Sequence, residues 1–243
     1  LVIEATGVAD PRGLAAPFLN NPAIKKQFPL RQVICLVDAE QIERQLKDTE
    51  EAIHQITFSD VLLVNKVDLV SKSHVEHLAK RLSTLNPLAQ LVFSDQAALA
   101  ISELQGRNSS MDDEVFNKCV NVESSSDKAF PVQKQSARHH HDHTDGVVSQ
   151  TLFFDRPFDY QKLHLRLLGF LTFQAKDLYR MKGLIWLKDS DEQHLLQSVG
   201  PRLAIDIKRH WHKEEKRSSK IVVIGKGFQK KSLERMFSQC FSS

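Results

Sequence analysis

The sequence predicts an α/β chain: a parallel sheet with crossover helices in the first half, then a small α+β domain. Three observations carry this reading. Between Leu1 and Ser94, short runs rich in Val, Ile and Leu alternate with segments whose apolar residues fall at helical spacing. From Gly106 to Gly146 the chain turns polar and loses periodicity. After Gly146, strand-like runs follow one another with one helix early and one last, the order of an antiparallel sheet covered by helices. The expected organisation is a parallel-sheet domain over residues 1–105, a flexible linker over 106–146 and an α+β domain over 147–243.

In order, "LVIEATG" from Leu1 reads as a short strand ending in a turn, and Asp10-Pro11 as a plain turn. "QVICLVDA" and "DVLLVNKVDL" are the next two strands. Between them "EQIERQLKDTEEAIHQI" reads as helical, with Ile42, Leu46, Ala52 and Ile53 on its apolar side. "SHVEHLAKRLSTLNP" is a helix with Ser73 as N-cap, a stripe of Val75, Leu78, Ala79 and Leu82, and a stop at Asn86-Pro87. "AQLVFS" is the fourth strand. Alternation of this kind gives a parallel sheet whose ligands sit outside the C-terminal strand ends.

The second half reads β-α-β-β-β-α. "GVVSQTLFFD" is a strand, and "PFDYQKLHLRLLGFL" a helix starting at Pro157 or Asp159 with Leu163, Leu167 and Phe170 on one side. "DLYRMKGLIWLK", "HLLQSVGPRLAIDI" and "SKIVVIGKGF" are strands, and "QKKSLERMFSQCF" closes the chain as a helix.

Composition narrows the class. The 243 residues are 41% hydrophobic and 26% charged, with mean hydropathy −0.32. No apolar run approaches the roughly 20 residues of a membrane span, and the opening residues do not lead one to expect a secretory leader. Cys35, Cys119 and Cys240 are few and far apart, which suits reduced thiols in the cytoplasm. Residues 147–243 hold 18 Lys+Arg against 10 Asp+Glu, and the rest 15 against 20. The basic half carries no aromatic-interleaved stripe, so neither nucleic acid nor membrane is an expected partner.

Asn65-Lys66-Val67-Asp68 follows an apolar strand. A carboxylate there accepts from both guanine N1–H and the exocyclic amine, a donor pair adenine does not present. Asn65 suits another base edge, and the Lys66 stem can lie over the ring. The alternative is a strand-ending turn with Asp68 as N-cap. Glu4-Ala5-Thr6-Gly7 places an acid three residues before a glycine, which suits a loop closing on a γ-phosphate and its Mg²⁺. The phosphate loop G-x-x-x-x-G-K-[ST] is absent, because only Gly225 of the nine glycines precedes a lysine and no glycine stands five residues before it. In "HHHDHTD", His139, His140, His141 and His143 with Asp142 and Asp145 form a cluster suited to Zn²⁺, Ni²⁺ or Co²⁺, weak and exchangeable on a linker. A solvated linker without a role is the alternative.

"VIEATGVADP", "QVICLVDA", "DVLLVNKVDL", the His-rich linker, "LYRMKGLIWL", "SVGPRLAI" and "IVVIGKGF" together resemble the CobW-type metal-chaperone GTPases of the P-loop class. The resemblance covers nearly the whole chain in order. It implies a partial P-loop NTPase sheet domain followed by a CobW C-terminal domain, with GTP, Mg²⁺ and zinc, cobalt or nickel as ligands and a client metalloprotein as partner. Glu4 and Gly7 fall on the family's phosphate-sensing motif, with Ala5 departing from the usual Ser or Thr. Asn65, Lys66 and Asp68 fall on its guanine motif, and Arg180, Lys182 and Gly183 on an R-x-K-G of its C-terminal domain. The family's Walker A loop and C-x-C-C metal motif would both precede Leu1, as expected of an N-terminal truncation. This chain alone is therefore not expected to hydrolyse GTP. A nucleotide-inactive metal-binding or client-docking fragment, and a cobalt-handling protein of cobalamin synthesis, are the rival expectations.

Overall fold

The computed structural model describes residues 1–7, 9–95, 146–199 and 202–242. They fall into two compact units, Leu1–Leu30 with Gly146–Ser243, and Arg31–Asp145. The linker residues, with His139, His140, His141 and His143, lie outside the described residues.

The second unit holds a three-stranded parallel sheet in the order β1-β2-β3, formed by Ile34–Asp38, Val61–Asn65 and Gln90–Phe93. Central β2 is buried from Val61 to Val64, as its unbroken apolar run requires. The helical stretch between β1 and β2 is two helices, α3 (Ile42–Asp48) and α4 (Glu50–Phe58). Thr49 breaks it: its backbone is extended and its hydroxyl accepts from Ala52 N–H at 3.4 Å, capping α4. Helix α5 (Lys72–Leu85) starts one cap earlier than the sequence suggests, on Ser71 rather than Ser73, with Ser71 Oγ accepting from His74 N–H at 3.2 Å. Leu78 and Leu82 are buried as the stripe predicts.

Asn86 is more than a helix stop. It is wholly buried, and its Nδ2 lies 2.7, 3.2 and 2.9 Å from the carbonyl oxygens of Ile56, Thr57 and Ser59. Its Oδ1 accepts from Leu88 N–H at 3.1 Å. One side chain thus ties the C-terminus of α4 to that of α5. Asn86→Ala strands these buried groups and is expected to cost about 2–4 kcal/mol. A urea midpoint unchanged within error would refute that tie.

The first unit is built on a five-stranded antiparallel sheet in the order β4-β8-β5-β6-β7: Val147–Phe154, Ser219–Lys226, Leu178–Trp186, Glu192–Val199 and Arg202–His210. The run expected as one strand from His194 is an antiparallel pair, β6 and β7, with Val199 paired to Arg202. The observed order is therefore β-α-β-β-β-β-α. Helix α6 (Tyr160–Phe173) starts at the Asp159 cap, whose Oδ1 accepts from Lys162 N–H at 3.0 Å, and buries Leu163, Leu167 and Leu171. Helix α7 (Lys230–Ser238) adds Leu233 and Phe237 to the same core.

Two helices were not legible as such. Asp10 caps α1 (Pro11–Asn20) and Asn21 caps α2 (Pro22–Gln27), each with Pro at the first helical position. Helix α1 packs on β6 and β7, and Lys25 of α2 pairs with Asp206 of β7 at 2.6 Å. The expected first strand does not form: residues 1–6 have no regular structure, and Leu1, Val2 and Ile3 are exposed. A strand exists only by pairing with a neighbour, and this segment has no ladder partner among the described residues. Among the described residues no helix is long and apolar enough to cross a membrane.

Candidate functional site

Strand β2 ends at Asn65, and the chain reverses through Lys66 into a 3-10 turn, Val67–Leu69. Lys66 sits at φ 60° and ψ 35°, the left-handed region that a non-glycine residue occupies only when its surroundings hold it there. Those surroundings are visible. Asp38, at the end of β1, lies in register with Asn65, and Lys66 Nζ donates to Asp38 Oδ2 at 2.7 Å. Ala39 N–H donates to Asn65 O at 3.0 Å, and Val67 N–H to Ser94 O at 3.4 Å. His74 Nε2 of α5 lies 3.1 Å from Ala39 O.

Asp38 serves two neighbours. Its Oδ1 accepts from Glu40 N–H at 2.9 Å and Gln41 N–H at 3.3 Å, at the entry to α3. Burial pushes its carboxyl up, but the Lys66 ammonium and these backbone donors outweigh burial and hold it below the usual carboxylate range. The same hydrogen bond raises the Lys66 ammonium.

Asp68 is exposed and does not cap α5, because Ser71 does. Asp68 lies in the 3-10 turn that follows β2, an exposed carboxylate at the C-terminal edge of a parallel sheet, where such sheets bind ligands.

Glu4 and Gly7 lie in the other compact unit, on a segment without regular structure rather than at a strand end. Glu4 is exposed, and nothing lies within 4 Å of the position a Gly7 Cβ would take.

No group of three or more His, Cys, Asp or Glu side chains among the described residues could hold a metal ion. Burial pushes the Cys35 thiol up to about 11 against a lowering hydrogen bond from Ser59. His210 ends β7 and His212 lies in the loop beyond, so the two do not share a strand face. In R-x-K-G, Gly183 is explained by packing: a Cβ there would lie 2.8 Å from Lys220 O on β8.

Residues 1–93 match the family described as CobW/HypB/UreG, nucleotide-binding domain, and residues 147–241 the cobalamin synthesis protein cobW C-terminal domain. The chain is 28% identical over 226 residues to the zinc chaperone YjiA of Escherichia coli strain K12, covering 93% of this chain and 65% of that protein. Over 93 residues it is 32% identical to the zinc-regulated GTPase metalloprotein activator 1 of Schizosaccharomyces pombe, which is 38% of this chain and 23% of that protein. The crystal structure of Zn(II)-bound YjiA GTPase from E. coli shares the fold at TM-score 0.72 and 24% identity, over 100% of this chain and 71% of that one. The chain thus spans just under two thirds of the length of YjiA. Its two matched segments, in this order, account for most of its residues, and the chain belongs to the CobW family: a CobW/HypB/UreG nucleotide-binding domain joined to a CobW C-terminal domain.

Proposed function

We propose that this chain carries the guanine-reading loop and the C-terminal domain of a GTP-dependent metal chaperone that hands zinc to client metalloproteins in the cytoplasm. The observation that carries the reading is the loop after β2, an exposed Asp68 beside a lysine held in the left-handed region at the C-terminal edge of a parallel sheet. Asp68 accepts from guanine N1–H and the 2-amine, Asn65 braces the base edge and the Lys66 stem covers the ring. Glu4 and the Gly7 backbone sense the γ-phosphate, and bound Mg²⁺ supplies charge neutralisation on the phosphates. Hydrolysis requires a G-x-x-x-x-G-K-[ST] loop joined to these residues, and the chain itself contains none. Zinc is favoured over cobalt as cargo by the relatives, a zinc chaperone and a zinc-regulated activator.

Titration of the native protein with fluorescent GDP and ADP tests the nucleotide half. GDP is expected to bind at least about 100-fold tighter than ADP. No affinity for either would favour the rival reading of a nucleotide-inactive metal-binding or docking module, and equal affinities would overturn the guanine reading.

The linker histidines are proposed to gather the metal. Replacing His139, His140, His141 and His143 together by Ala is expected to abolish a weak, exchangeable zinc site without moving the unfolding midpoint. Competition with a chromophoric chelator reads this, and unchanged zinc uptake would remove the linker from the mechanism.

A further inference from the structure

The invariant demand on a base-reading lysine is geometric: its stem must lie flat over a ring, so its backbone and its ammonium must both be held. In this chain the backbone of Lys66 is in the left-handed region, and the ammonium is held from outside the motif. We propose that Asp38 is a positioning residue for guanine recognition, its Oδ2 anchoring Lys66 Nζ so that the lysine stem is preset over the base. The proposal rests on the guanine reading of Asn65, Lys66 and Asp68.

Three contacts bind the end of β1 to the reading loop or to α5 behind it, and Glu43 of α3 adds a fourth link to α5. Two link it directly to the loop: Lys66 Nζ to Asp38 Oδ2 at 2.7 Å, and Ala39 N–H to Asn65 O at 3.0 Å. The third is His74 Nε2 with Ala39 O at 3.1 Å. The fourth closes the same layer one turn further on, where Glu43 Oε1 of α3 lies 3.3 Å from His77 Nε2 and 3.8 Å from Arg81 Nη1 of α5. Of these only the Asp38 contact acts on a side chain that would touch the base. The pair is partly open, with side-chain exposures of 44% for Lys66 and 22% for Asp38, so its worth to overall stability is small. Its effect is on where one rotamer-rich side chain points before ligand arrives, which lowers the cost of binding.

The two carboxylate oxygens have separable tasks, and this makes the idea testable. Oδ1 receives Glu40 and Gln41 N–H, which an asparagine oxygen does equally well. Oδ2 receives the ammonium, and an amide nitrogen in its place repels it. Asp38→Asn therefore keeps the entry to α3 and removes the anchor alone.

The experiment is a mutant cycle read by fluorescent GDP titration on the native protein. Asp38→Asn is expected to weaken GDP about 10-fold with an unchanged thermal midpoint. In a Lys66→Ala background the same change is expected to have no further effect on GDP, because the side chain it positions is gone. Wild-type affinity in Asp38→Asn, or an equal loss in both backgrounds, overturns the proposal, the latter by showing that Asp38 acts through the fold. Asp68→Asn separates the two levels. If it leaves base preference unchanged, the guanine reading fails and the anchor with it. If it shifts preference while Asp38→Asn does nothing, the anchor alone fails.

Discussion

Asp68→Asn is expected to exchange guanine for xanthine. Guanine offers two donors side by side, N1–H and the 2-amine, and a carboxylate accepts both. An asparagine amide offers one acceptor and one donor, so its NH₂ meets the guanine amine donor to donor. Xanthine carries a carbonyl at that carbon and matches the amide. Each charge-assisted hydrogen bond is worth about 1.5–3 kcal/mol, so GDP affinity is expected to fall roughly 100-fold or more. Xanthosine diphosphate should gain in the same variant. Competition titration against fluorescent GDP measures both, and an unaltered order of preference would overturn the role given to this loop. The fold should be indifferent, because Asp68 is exposed and Ser71 rather than Asp68 caps α5.

Gly225→Ala is expected to be the most damaging small change in the C-terminal domain. Gly225 sits on β8 between Val148 of β4 and Leu178 of β5. A Cβ there would lie 2.1 Å from Asp177 O and 2.5 Å from Phe228 Cε2. The carbonyl is backbone, and it already accepts from Lys226 N–H at 2.8 Å, so it cannot swing aside without breaking the ladder. The register irregularity between Leu178 and Arg180 lies at the same spot. Overpacking against backbone at such a point costs about 3 kcal/mol, or roughly 10 °C or more in the midpoint of a domain this size. Gly169 is the control. It lies in α6 with nothing within 4 Å of a new Cβ, and Gly169→Ala should raise the midpoint slightly, as a mid-helix glycine costs about 1 kcal/mol relative to Ala. Equal midpoints for the two variants would mean that the strand relaxes around the methyl group.

Gly225 also shows how local and tertiary information divide. In sequence, Gly225-Lys226 is the one Gly-Lys pair and therefore the one place to seek a phosphate loop. Spacing alone rejects it. Spacing does not say why a glycine stands there, since the reason is a carbonyl 48 positions earlier in the chain, at Asp177.

The chain's alternation of apolar runs and amphipathic stripes determined β1, β2, β3 and α5 by itself, because those patterns record which face of each element is dry. It also made the proposed guanine loop legible, because Asn65, Lys66 and Asp68 fall within four residues directly after the strand that positions them. The tertiary structure decided what depends on a distant partner. "LVIEATG" has the apolar character of a strand, yet a strand exists only through hydrogen bonds to another, and Leu1–Ile3 find none among the described residues. Pro11 reads as a turn residue until its Asp10 cap and the packing of α1 on β6 and β7 make it a helix start. Asn86 reads as a helix stop until Ile56, Thr57 and Ser59 present their carbonyls to it. Asp38 reads only as the end of a strand, and the parallel register that sets it beside Asn65 is what brings its carboxylate to Lys66. Periodicity is a local record of burial, whereas a hydrogen bond between residues far apart in the chain leaves no trace in the spacing of either.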